Sequence, residues 1–110
     1  MPHRIRLRGP WEFEPLTQCF TRRFHQPTGL TAESYVWLVI EEAAANARIE
    51  LNAKTLGEAH VGQATRLHIT ADLKPNNVLA ITFTAVPPGT TSPTDDLIGK
   101  VSLEIDEPSA

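Results

Sequence analysis

Apolar and polar residues alternate along most of this chain, and the alternation has the period of two that belongs to β-strands. In "RIRLR", Ile5 and Leu7 point one way and Arg4, Arg6 and Arg8 the other. After Gly9-Pro10, "WEFE" repeats the pattern, with Trp11 and Phe13 inward and Glu12 and Glu14 outward. "FTRRFH", Phe20 to His25, is a weaker strand signal. "YVWLVI", Tyr35 to Ile40, is apolar in both phases and rich in β-branched and aromatic residues, the mark of a central strand. "ARIEL" buries Ala47, Ile49 and Leu51, "RLHIT" buries Leu67 and Ile69, and "VLAITF" puts Leu79, Ile81 and Phe83 on one face. "KVSLEI" closes the chain with Val101, Leu103 and Ile105 inward.

The segments between the strands read as turns. "EEAAANA", Glu41 to Ala47, has high helix propensity but is too short for a stable helix, so a connection with at most one helical turn is expected. Asn52 opens a turn, because asparagine tolerates left-handed backbone angles. Ala53 stands where a two-residue hairpin favours glycine, which predicts a longer turn through Lys54. The hairpin's two strands need partners on both sides, and Gly57 is expected to bend the end of the second. "TADLKPNN" predicts one helical turn, with Thr70 as cap, Leu73 as buried anchor and Pro75 as stop. "PPGTTSPTDD", residues 87–96, has loop composition, and residues 107–110 form a frayed tail. Eight or nine short strands with almost no helix define an all-β, antiparallel β-sandwich.

Length adds one constraint: 110 residues make one compact domain, spanning 1–110, with no internal repeat or linker. Composition, with 41% hydrophobic and 21% charged residues, supplies a core and argues against disorder. The net charge of -3 has no basic excess, which excludes a nucleic-acid binder of the usual kind. One cysteine, Cys19, allows no intrachain disulfide and fits a reducing compartment. The basic N-terminus has no apolar run behind it, and no segment is long enough to span a bilayer. A cytoplasmic domain, monomer or homodimer, without membrane contact, is the expectation.

The order of these features resembles the N-terminal sugar-binding domain of glycoside hydrolase family 2, the β-galactosidases and β-glucuronidases. The run "VWLVIEEAAANARIELNAKTLGE" is similar to that domain's strand, short connection and alternating strand ending in Asn-Gly-Lys. "LHITADLKPNNVLAITF" resembles its Asp-Ile-Thr, Leu-Lys and Pro-Gly-x-Asn stretch. "LRGPWEFEP" and "TRRFHQP" fall where it has its Gly-x-Trp and Arg-Phe-x-x-Pro strands. The resemblance covers most of the chain and implies a galactose-binding-like jelly roll. Two residues depart from the pattern, Ala53 and Asn76, each standing where glycine is typical. The glutamates that catalyse hydrolysis in those enzymes belong to a barrel domain, which is not expected here. The resemblance therefore implies a fold and a binding role, and no enzymatic activity.

Candidate chemistry is sparse. Glycoside hydrolysis needs two carboxylates flanking a cleft, but Glu12 with Glu14, Glu41 with Glu42, and Asp95 with Asp96 all read as solvated surface charge. Cys19 with His25 would need the chain to fold back on itself to form a nucleophile and base. His3, His25, His60 and His68 share no zinc-ligand spacing, and no cofactor is implied. Asp95 and Asp96 are weak calcium candidates, since calcium wants six or more oxygens. Sugar binding needs an aromatic platform beside polar groups. Trp11, Phe13, Phe24, Trp37 and Phe83 sit where core packing takes them, which leaves Phe20 and Tyr35 as platforms. Arg22, Arg23, His25 and His60 are the polar groups expected at the rim. Weak carbohydrate binding follows as the leading expectation. Its rival is an interaction module that binds a protein through a sheet edge or loop end.

Overall fold

The computed structural model describes residues 3–8, 11–43, 45–84 and 98–107. These residues contain nine strands: β1 (His3–Arg6), β2 (Glu12–Glu14), β3 (Cys19–His25), β4 (Tyr35–Glu41), β5 (Ala47–Leu51), β6 (Lys54–Ala59), β7 (Thr65–His68), β8 (Asn76–Phe83) and β9 (Lys100–Asp106). They form two sheets with antiparallel pairings, ordered β1-β9-β4-β7 and β2-β3-β8-β5-β6. The all-β sandwich expected from the patterning is the observed architecture. Among the described residues the only helical segment is a 3₁₀ turn, Thr70–Asp72. The alanine-rich connection after β4 shows no helical turn in its described part, and Glu42 there has a positive φ of 62°.

The inward phase of every long strand meets at the sandwich centre. In the four-stranded sheet one row runs Ile5, Leu103, Leu38, Leu67 across β1, β9, β4 and β7. In the five-stranded sheet the facing row runs Phe13, Phe20, Ile81, Ile49, Gly57. Phe20, Leu38, Ile49, Ile81 and Leu103 are all essentially sealed from solvent. Each such side chain contributes about 1.5–3 kcal/mol by leaving water. Gly57 lies within β6, not at its end as expected. It sits beside a bulge, where Ile49 faces Gly57 but Glu50 faces Thr55. A β-carbon on Gly57 would stand 3.3 Å from Leu67 Cδ2, so a neighbouring leucine occupies the space its side chain would have filled.

The hairpin turn is tighter than the sequence suggests. Leu51 pairs directly with Lys54, leaving a two-residue loop in which Asn52 and Ala53 have φ of 53° and 68°. Positive φ at both central residues is the signature of a type I′ turn, so the longer turn through Lys54 does not form. The reason lies in Asn52. Its side-chain oxygen accepts the Val78 N–H (2.9 Å), and its amide donates to the Asp72 carbonyl (3.2 Å) and to Asn77 Oδ1 (3.1 Å). These tertiary bonds fix the turn and carry Ala53 into the left-handed region. Among the described residues the second hairpin strand, β6, is a sheet edge with β5 as its one strand partner, against the expectation of partners on both sides. Thr70 does not cap the 3₁₀ turn, which has no side-chain cap. Its hydroxyl instead accepts the Val36 N–H at 2.8 Å, tying the turn to β4.

Candidate functional site

The outward phase of β4 creates the most distinctive surface. Val36, Leu38 and Ile40 enter the core, so Tyr35, Trp37, Val39 and Glu41 must face the other way. Trp37, expected in the core, is therefore on the outer face and only half-buried. His68 lies opposite it on β7 and Glu104 opposite it on β9. The His68 ring stands 4.9 Å from Trp37 and 5.6 Å from Tyr35, centroid to centroid. Arg66 places its guanidinium carbon 4.6 Å from the centre of the Trp37 ring, a cation–π contact. Tyr35 remains 50% exposed and pairs across the sheet with Asp106. Thr70 Oγ1, 2.8 Å from His68 Nε2, fixes the imidazole.

Charge completes this face. Glu104 receives Arg4 Nη2 at 3.0 Å and Arg66 Nη2 at 2.9 Å, and Arg4 also reaches Glu41 at 3.1 Å. The bond from Arg4, reinforced by the charges of Arg66 and Arg4, holds the Glu104 carboxyl below its ordinary range despite the opposing cost of desolvation. Arg4 moves the other way, raised chiefly by its bond to Glu104. In the register Arg4 lies level with Glu104, whereas Glu41 lies beyond the row of Ser102 and Val39. Arg4 therefore crosses that row, and Val39 and Ser102 are buried although they face outward. The result is an aromatic strip, Tyr35–His68–Trp37, bordered by fixed charges of both signs.

The candidate residues read from the sequence do not converge on this strip. Only Tyr35 belongs to it. Phe20 is a correction: it is 1% exposed, packed against Phe13 (4.7 Å) and edge-on to Phe83 (5.8 Å), and cannot serve as a platform. It shares the inward phase of β3 with Phe24, four residues on. Arg22, Arg23 and His25 do gather at the other end of β3, but on different faces. Arg22 is in the inward phase and reaches out at the sandwich edge, donating to the Arg8 carbonyl at 2.7 Å. Arg23 and His25 point outward beside Asn76 and Val78, lining a hollow of about 330 Å³. His60 follows β6 at the opposite end of that sheet, near Asn46 and Ala47. Cys19 and His25 are the two ends of extended β3, about 20 Å apart, so no nucleophile–base pair forms. Glu41 and Glu42 are ion-paired with Arg4 and Lys100, while Glu12 and Glu14 project from β2 into solvent. Asp95 and Asp96 lie outside the described residues. Among the described residues no group of three His, Cys, Asp or Glu side chains could hold a metal ion, and no helix is long and apolar enough to cross a membrane.

Fold and face together define a small β-sandwich with an aromatic outer strip. No protein-family model and no curated protein matches the chain. Solved structures do. A β-glucuronidase from Bifidobacterium dentium, complexed with coumarin-3-O-glucuronide, is similar with a TM-score of 0.61 and 15% identity, over 81% of this chain and 21% of that one. A rhamnosidase from Novosphingobium sp. PP1Y is similar with a TM-score of 0.58 and 20% identity, over 80% of this chain and 11% of that one. The shared feature is the fold. This chain spans only a small part of either enzyme's length.

Proposed function

We propose that this β-sandwich, of galactose-binding-like jelly-roll type, is a non-catalytic carbohydrate-binding module that works in the cytoplasm. Its ligand surface is the outer face of the four-stranded sheet. The observation that carries this reading is the Tyr35–His68–Trp37 strip with Arg66, Glu104 and Asp106 along its borders. A sugar ring has an apolar face that lies on an aromatic ring and hydroxyls that need charged or polar partners. Tyr35 supplies the open ring, Asp106 lies beside it, and Arg66 and Glu104 stand within the same patch. A shallow, open strip buries little ligand, so weak binding is expected, with Kd near ~1 mM. The similarity to glycoside hydrolases supports the sandwich as a part found in sugar-processing proteins, without itself assigning a ligand.

The test is an amide NMR titration of the whole chain with mono- and oligosaccharides at high concentration. Saturable shifts centred on Tyr35, Trp37, Arg66 and His68, lost in Tyr35→Ala, are the expected result. An unchanged spectrum at the highest sugar concentrations rejects the reading.

A further inference from the structure

One lateral edge of the sandwich carries a second surface with different chemistry. β1 is an edge of its sheet, and β2 pairs only with Cys19–Thr21, so Arg22–His25 has β8 on one side and no strand on the other among the described residues. Between these two edges opens a cleft of about 290 Å³. Its floor is apolar, made by Ile5, Leu7, Phe24 and Leu103, and its rim is cationic, with Arg6, Arg22, Arg23 and His25. No carboxylate lines it among the described residues.

The distribution of ion pairs makes the rim unusual. The chain has ten Lys and Arg residues. Arg4, Arg48, Lys54, Arg66 and Lys100 are each paired with a carboxylate. Arg6, Arg8, Arg22, Arg23 and Lys74 make no ion pair among the described residues. Four of those five stand at this cleft: Arg6, Arg22 and Arg23 on its rim, and Arg8 at the end of the Arg22 side chain. Arg22 is held by its bonds to the carbonyls of Arg8 and Arg23, at 2.7 and 3.0 Å, which fixes one guanidinium at low entropic cost. In a chain of net charge -3, unpaired cations collected over an apolar floor are complementary to an anionic, partly apolar partner.

We propose that this cleft docks an acidic peptide segment of a protein partner in extended conformation. Its apolar side chains seat on Ile5, Leu7, Phe24 and Leu103, and its carboxylates meet Arg6, Arg22 and Arg23. The shape favours a peptide over a compact anion: the cleft runs between two sheet edges, and an extended chain presents apolar and acidic side chains alternately at the spacing those edges display. The surface is separate from the aromatic strip, so it stands or falls independently of sugar binding.

The probe is a short synthetic peptide alternating glutamate and valine, titrated into the whole labelled chain, with a lysine–valine peptide and citrate as comparisons. Saturable amide shifts at Arg6, Leu7, Arg23 and His25 with the glutamate peptide alone are expected. The double variant Arg6→Glu, Arg23→Glu should weaken that binding at least ~10-fold while its remaining spectrum stays folded. Both side chains are exposed, and neither makes a side-chain hydrogen bond among the described residues. If the double variant fails to fold, Arg23→Gln alone should still weaken binding measurably. Absence of saturable shifts, an equal response to the lysine peptide, or full saturation of the same amides by citrate at matched carboxylate concentration overturns the proposal. The last result would mark a small-anion site only.

Discussion

Two asparagines and one alanine decide the geometry of the sandwich end where β5 turns into β6. Asn77 is 1% exposed, and its amide donates to the Lys74 carbonyl at 2.7 Å while its oxygen accepts the Lys74 N–H at 2.9 Å. It also meets Asn52, whose own bonds reach β8. Asn77→Ala would strand several of these groups out of reach of water, and a loss of about 3 kcal/mol in urea unfolding is expected. Ala53 is the opposite case, a residue tolerated against its preference. Left-handed backbone costs a residue with a β-carbon about 1 kcal/mol. Ala53→Gly should therefore raise stability by roughly that amount, less glycine's greater chain entropy, and shift the urea midpoint upward with no change in slope. Glu104 supplies a pH handle. Its folded pKa lies below its unfolded value, so its contribution is complete above the ordinary glutamate range and disappears as pH falls through the folded value. Thermal melts of Glu104→Gln should be lower than those of the native chain at neutral pH and converge with them in acid.

Strands are where the sequence was most legible. Period-two patterning located most of the strands, β3 only weakly, and the doubly apolar run of β4 marked an interior strand. Where the reading failed, the missing information was the phase of a side chain relative to its neighbours. Phe20 and Phe24, four apart on β3, must share a face, so the pattern itself contained the signal that places Phe20 in the core. The outward position of Trp37 was also implicit, since Val36, Leu38 and Ile40 take the inward phase. What no strand pattern could supply is the meeting of Tyr35, Trp37 and His68, which depends on β7 pairing with β4 rather than with another strand. The type I′ turn was hidden for a similar reason. Its favourable partners, Asp72, Asn77 and Val78, lie more than a turn's length away in sequence. Two neighbours on β4 test the division between faces. Leu38→Ala should cost about 2–5 kcal/mol by opening a cavity. Tyr35→Ala should leave chemical stability within about 0.5 kcal/mol of the native chain, while removing the sugar response.

At the scale of the whole molecule, the sandwich presents two surfaces of different chemistry. An aromatic strip bordered by paired charges covers one outer face, and a cleft whose arginines make no ion pair among the described residues opens along one side. The pairing of β1 with β9 has a further mechanical meaning. His3 lies beside Ile105 and Arg6 beside Ser102, so the first and last of the described strands run antiparallel with their outer ends adjacent. A pull applied across those two ends acts at right angles to the strands and loads the ladder one pair at a time, from His3 inward. Such a joint opens like a zipper at low force, with Arg4 leaving Glu104 early, so that Glu104 at the border of the aromatic strip loses one of its two arginines before the core gives way. Tension on a tethered copy would therefore loosen one border of the face proposed to hold sugar first. A force-clamp recording should show that early, small extension ahead of the main unfolding step.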